Sequence, residues 1–327
     1  MRIPFEANAV HPEGRFLIQD PEYRKRILPL FDFAPGEPER RVEGQGTVFR
    51  IDPFGNCVTA FHVFESAFYL GAATGREMQV RQDRSIVALE LDGIPYGAAS
   101  IASSQWRPMN GAFSLVRIDD SPLHPPRLRN ATELLALSIL PSAPKANGTE
   151  FLHVDLNGWR PSIGETVLGI GYPNLDKDED GPDDRPISQY LYGAYGSITD
   201  IEPLDLRRSR SWPMVRVNAD WPGGMSGGPV FNAAGNVIGI ISAGVDATTS
   251  TAMIFGGWGA VHNTLPSLDP SKPGSFFCVA ILDAREKLIG VDLNRKAAES
   301  QAAKIDGAFV SKVSIDHETG SFVRLEL

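Results

Sequence analysis

Short apolar runs closed by glycine or proline recur between Gly44 and Gly244, and this punctuation commits the chain to strands rather than long helices. Gly44 to Ile51 alternates into a strand, Asp52-Pro53-Phe54-Gly55-Asn56 turns, and Cys57 to His62 reads as the hairpin partner. Val80 to Gln82, Ser85 to Leu91 and Ala112 to Ile118 continue the pattern. A second β-rich region starts at Gly164 to Pro173 and runs through Tyr190 to Ile201, Met214 to Asn218, Val230 to Phe231 and Val237 to Gly244. Strands this short and this frequent suit a sandwich or barrel.

Two segments carry chemistry. In Gly223-Gly224-Met225-Ser226-Gly227-Gly228-Pro229, glycines on both sides of a serine let the backbone adopt conformations that other residues resist. Such a turn aims N–H groups at one point beside a hydroxyl, where they stabilise an oxyanion. The hydroxyl attacks a carbonyl once a base takes its proton. Far upstream, His62 follows the apolar run of Cys57-Val58-Thr59-Ala60-Phe61. Alone, each segment has an ordinary structural explanation, a Gly-Pro turn and a core histidine. Together, T-A-x-H followed by G-x-S-G-G-P resembles the trypsin/chymotrypsin superfamily of serine proteases, whose chain order places histidine first and serine last.

The resemblance covers roughly residues 44 to 265 and implies an all-β core, a chymotrypsin-like double β-barrel. It makes Ser226 the nucleophile, His62 the general base, and the N–H groups of Gly224 and Ser226 the oxyanion hole. It also calls for a carboxylate at the head of a segment of the type D-[IL]-A-L-L-[KR]-[ILV]. The segment taken as its counterpart is Ala112-Phe113-Ser114-Leu115-Val116-Arg117-Ile118, whose first position is alanine. This reading predicts strongly impaired turnover. It leaves three explanations: an engineered Asp→Ala change, a natural pseudoprotease, or an acid from elsewhere, with Asp92, Asp119 and Asp120 the nearest considered.

Met225 stands where zymogens of the superfamily carry the aspartate that pairs with a freed N-terminus. With only two cysteines, Cys57 and Cys278, this points to the bacterial high-temperature-requirement-type or trypsin-like-domain branch. By the same resemblance Asp220, six residues before Ser226, is the candidate floor of a substrate pocket selecting Arg or Lys. Ser242-Ala243-Gly244 is the candidate pocket wall, with alanine in place of the usual aromatic residue. Asp176-Lys177-Asp178-Glu179-Asp180-Gly181 matches the start of a calcium loop, but Ile187 occupies the position of the required bidentate glutamate. A solvated acidic loop is the preferred reading, calcium through Asp176, Asp178 and Asp180 the weaker one.

A net charge of −9 argues against nonspecific binding to nucleic acid or anionic membrane, and no apolar run is long enough for a transmembrane helix. The N-terminus lacks the apolar stretch of a signal peptide, and the sparse cysteines suit a reducing cytoplasm. The expected organisation is an N-terminal extension (1–43), a first barrel (44–118), a connection (119–160), a second barrel (161–267) and a small α/β C-terminal extension (268–327). No cofactor is expected. The expected partners are a protein or peptide substrate and a regulatory protein. The function read from the sequence is a serine endopeptidase in silenced form. The alternatives are a pseudoprotease acting as a peptide-binding or regulatory module, and an esterase or other acyl hydrolase.

Overall fold

The computed structural model describes residues 14–33, 43–51, 56–70, 78–109, 111–119, 123, 127–139, 151–155, 159–173, 175, 187–203, 212–246, 248–255, 267–268, 275–292, 295–316 and 321–325. Two antiparallel sheets hold the core. In one, Tyr192–Glu202, Thr166–Gly171, Pro229–Phe231, Val237–Asp246, Thr249–Ile254 and Met214–Asn218 pair in that order, and the last pairs back onto the first. The result is a closed barrel whose interior is filled by Val167, Ile198, Val215, Val217, Ile238 and Ile241. Val237 and Ile240 of the same strand belong instead to the larger core that continues into the first sheet. Burial on both faces explains why this strand reads as a nearly unbroken apolar run.

The other sheet runs Gly111–Asp119, Arg127–Ser138, Asn56–Ala60, Glu43–Arg50, Ile27–Phe33, Ser85–Leu89, Trp106–Pro108 and stays open as a half-barrel. The double β-barrel expected from the sequence is therefore present, one barrel closed and one half-closed.

Two expectations about the chain's organisation need correction. Residues 15–33, assigned to an extension, supply a strand to each sheet. Arg15–Leu17 pairs with Tyr192–Glu202, and Ile27–Phe33 lies between Glu43–Arg50 and Ser85–Leu89. Between them, Asp20 caps the helix Pro21–Arg26 by accepting from the Glu22 N–H. A three-residue strand shows no periodicity, and Pro29 disguises the longer one. The second correction concerns the segment read as a connection, which contains the long strand Arg127–Ser138, hydrogen-bonded directly to Asn56–Ala60.

The C-terminal residues form an antiparallel sheet around Ser275–Leu282, which pairs with Phe309–Asp316 on one side and with Ser267–Leu268 and Leu288–Asp292 on the other. The helix Arg295–Ala302 lays Ala298 and Ala302 against Ile281. Phe151 packs into the opposite face beside Cys278, Ala280 and Val313. The following residues anchor this unit: Leu152 N–H donates to Arg50 O at 2.9 Å, and Val154 bridges Val237.

Candidate active site

The turn carrying Ser226 is held from below by Met225, fully buried in the closed barrel with Trp221 and Val230. Its backbone is tied down on both sides. Met225 N–H donates to Pro222 O, Gly228 N–H to Met225 O, and Gly227 N–H to Ile241 O at 2.8 Å. Gly224 and Gly227 have φ of +97° and +83°, values that a side chain would strain. Among the described residues, the N–H groups of Gly224 and Ser226 donate to no carbonyl, leaving two donors in one turn uncommitted. The Ser226 hydroxyl donates to Ser242 O at 3.2 Å.

His62 sits in the single helical turn Phe61–Phe64 that ends the strand Asn56–Ala60. Phe61, Val63 and Phe64 are buried, so the turn is fixed by its apolar side chains. The imidazole, 37% exposed, is the one group it presents outward. Packing brings this turn to the serine. A Cβ on Gly46 would lie 3.0 Å from Ser226 O and 3.0 Å from both Val63 methyls, so little more than a methyl group separates the two segments. A Cβ on Gly227 would overlap the Thr59 hydroxyl and Thr47 O and come within 2.8 Å of Ala60 N. The T-A-x-H and G-x-S-G-G-P motifs, distant in sequence, are in direct contact.

Glu133 completes the group. Its Oε1 contacts His62 Nδ1, and its side chain is only 4% exposed. It projects from an irregularity in the strand Arg127–Ser138. Opposite Ser114 stands Leu135, yet opposite Val116 stands Asn130, so residues 131–134 bulge out against a single partner residue. Bulges re-aim side chains in this way. This one is pinned at Leu134, whose N–H donates to the Thr132 hydroxyl (3.1 Å) and whose carbonyl accepts from the Ser114 hydroxyl (2.7 Å).

Comparison with known families gives the context for this arrangement. Residues 44–240, more than half the chain, match the family model described as trypsin-like peptidase domain. The chain belongs to that family. Among solved structures, the trypsin-like chain is similar to one described as Glu endopeptidase in complex with MPD. The two share 14% identity at a TM-score of 0.44, over 76% of this chain and 94% of that one. No curated protein matches it.

Within this trypsin-like domain, the acid position inferred from sequence is corrected. Ala112 is not an empty slot beside the histidine. Its strand is second from the histidine strand, separated by Arg127–Ser138, and Ala112 pairs with Leu137. Neighbouring strands lie roughly 4.8 Å apart, so a residue one strand further out is about twice that distance away. The position adjacent to the imidazole belongs to the intervening strand, which supplies Glu133. The signal was present in Glu133-Leu134-Leu135-Ala136-Leu137, an acid heading an apolar run, with glutamate in place of aspartate. The other carboxylates considered lie elsewhere. Asp92 is in an exposed turn accepting through its carbonyl from Gln105, Asp119 ends the strand that Ala112 nearly begins, and Asp120 is outside the described residues.

The remaining candidates divide. Asp220 is 21% exposed and its Oδ2 lies 3.5 Å from Arg15 Nε. The Arg15 guanidinium also lies over the Tyr192 ring at 5.7 Å. Ser242 is buried beside Ser226, whereas Ala243 and Gly244 are progressively exposed and the Thr251 hydroxyl donates to Ala243 O at 3.1 Å. Cys57 and Cys278 are both buried thiols, not joined in a disulfide. Asp176, Asp178 and Asp180 lie outside the described residues, among which no cluster of metal-ligating side chains occurs.

Proposed function

We propose that this chain is a competent serine endopeptidase whose triad is Ser226, His62 and Glu133. The observation that carries the proposal is the contact between the buried Glu133 carboxylate and His62 Nδ1. A carboxylate there holds the imidazole with its proton on Nδ1, leaving Nε2 free to accept the serine proton, and it steadies the imidazolium that results. The Ser226 hydroxyl turns from Ser242 O toward Nε2 as substrate enters and attacks the scissile carbonyl. The uncommitted N–H groups of Gly224 and Ser226 receive the oxyanion. The imidazolium returns its proton to the leaving amine, and water, activated by the same imidazole, releases the acyl group. Ala112 takes no part, so its identity does not silence the enzyme.

Substrate choice is less favourable to a basic residue than Asp220 alone implies. An Arg or Lys side chain reaching that carboxylate has to displace the Arg15 guanidinium. The edge of Ser242-Ala243-Gly244 remains the segment along which a peptide adds as a strand. Met225 and the absence of a disulfide between the two cysteines support placement near the high-temperature-requirement branch.

The test is covalent labelling with a fluorophosphonate probe, followed by hydrolysis of a fluorogenic peptide library. Labelling at Ser226 that is lost in His62→Ala, together with peptide cleavage, supports the endopeptidase. Absence of both favours the pseudoprotease, and turnover of esters without peptides favours an acyl hydrolase.

A further inference from the structure

Thr47 has no place in the triad, yet it is hydrogen-bonded both to the serine turn and to the strand that leads to His62. Its side chain is fully buried. Its backbone N–H donates to Ser226 O at 2.9 Å, and its carbonyl accepts from the Thr59 hydroxyl at 2.7 Å, three residues before His62. Its own hydroxyl lies 2.8 Å from Gly224 O and 3.0 Å from Tyr172 N. The Tyr172 N–H can only donate, so the single hydroxyl proton of Thr47 is committed to Gly224 O. One residue of the half-barrel thereby holds the carbonyls on both sides of Met225 in the closed barrel and, through Thr59, the strand that delivers the histidine.

We infer that Thr47 is the positioning residue that keeps the oxyanion hole formed and in register with His62. This inference rests on the endopeptidase reading above. Gly224, at φ +97°, follows Gly223, and the peptide groups on either side of it rotate easily when nothing holds them. The Thr47 hydroxyl fixes the Gly224 carbonyl, and with it the orientation of the Gly224 residue whose N–H faces the oxyanion. The branched side chain has few rotamers, so the hydroxyl is placed without further support. Valine reproduces the shape and abolishes both bonds. Serine keeps both.

The experiment compares full-length wild type with Thr47→Val, Thr47→Ser and Thr47→Cys. It follows the acylation burst with p-nitrophenyl acetate, inhibition by phenylboronic acid, and melting temperature. Misplacement of this kind costs on the order of 10²-fold, so T47V is expected to lose about that factor in acylation rate with little change in KM. Boronate affinity should fall in parallel, because its tetrahedral adduct uses the same N–H groups. T47S should recover most of the rate. Should the valine variant fail to fold, T47C, whose thiol donates and accepts weakly, stands in for it and should show the same fall in acylation rate and boronate affinity. A merely structural role would lower the melting temperature and leave the acylation rate and boronate affinity alone, which would overturn the inference. So would a T47S variant as slow as T47V. An inert wild type overturns both this inference and the endopeptidase reading. An active wild type with an equally fast, folded T47V overturns this inference alone.

Discussion

Replacing Glu133 with glutamine changes one atom of a buried side chain and should nearly abolish turnover. The amide has the volume of the carboxylate, so the bulge at residues 131–134 keeps its packing. Its NH₂ donates to His62 Nδ1 where the carboxylate accepted, which moves the ring proton to Nε2 and leaves no acceptor for the serine proton. The lost charge also leaves the imidazolium uncompensated. At a hydrogen-bond separation of roughly 3 Å and an effective dielectric of about 20, a carboxylate–imidazolium pair is worth on the order of 5 kcal/mol. Glu133 is 4% exposed but the imidazole is 37% exposed, so solvent screening makes this an upper bound. In serine proteases of this fold, for which the triad was worked out, the corresponding amide substitution lowers kcat about 10⁴-fold, or about 5.5 kcal/mol. The assay is kcat and KM on the best fluorogenic peptide from a positional library. Thermal unfolding shows that E133Q is folded, and fluorophosphonate labelling follows Ser226. Glu133→Asp, retracted by one methylene, should fall between wild type and E133Q. A folded E133Q within about tenfold of wild type would refute the assignment of Glu133 as the acid, since the tautomer argument leaves no route to so small a loss.

Other substitutions probe the surrounding structure. Ala112→Asp should not raise kcat and should destabilise by about 1–3 kcal/mol, because it adds charge to a position packed against the core; a gain in peptide hydrolysis would restore the acid to that strand. Gly227→Ala has to bear φ +83°, costing about 1–2 kcal/mol before its overlap with Thr59 and Thr47 is counted, so loss of Ser226 labelling and a large fall in Tm are expected. Asp220→Asn removes the 3.5 Å ion pair with Arg15 and should cost about 1 kcal/mol or less in urea unfolding, with any preference for Arg or Lys unchanged; disappearance of that preference would make Asp220 the pocket floor. Tyr172→Phe removes the 2.9 Å bond to Ile27 O and should cost about 1–3 kcal/mol. Burial also pushes the Tyr172 phenol well above its ordinary 10.0, so its stabilising contribution is complete below pH 10 and is lost as pH rises toward the folded value. Y172F should therefore show a shallower alkaline loss of stability than wild type, and an identical slope would refute that.

The serine and histidine motifs were legible because each is a local signal: a glycine-bounded turn and a histidine closing an apolar strand. Most second-barrel strands were legible for the same reason, their apolar runs ending in glycine or proline. The proposed acid was not, because its identity depends on sheet order. Ala112-Phe113-Ser114-Leu115-Val116 and Glu133-Leu134-Leu135-Ala136-Leu137 are both strand-like, and only the pairing of the second with Asn56–Ala60 decides which lies beside His62. The bulge that turns Glu133 inward leaves no residue signature at all. Arg15 escaped notice as a partner of Asp220 because it pairs with Ala194 of a sequence-distant strand, and the Ala194 carbonyl accepts from Trp221, the neighbour of Asp220.

The arrangement of the N-terminal strands bears on how a working fragment of this protein can be cut. The stretch that matches the family, 44–240, begins after Ile27–Phe33, which is flanked on both sides within its sheet, and ends inside Val237–Asp246. Excising that stretch would remove an inner stave of one sheet and, with Thr249–Ile254, the stave that seals the other. An autonomous unit has to start before Arg15 and continue past Ile254, so the boundaries of shared ancestry and those of independent folding do not coincide in this chain.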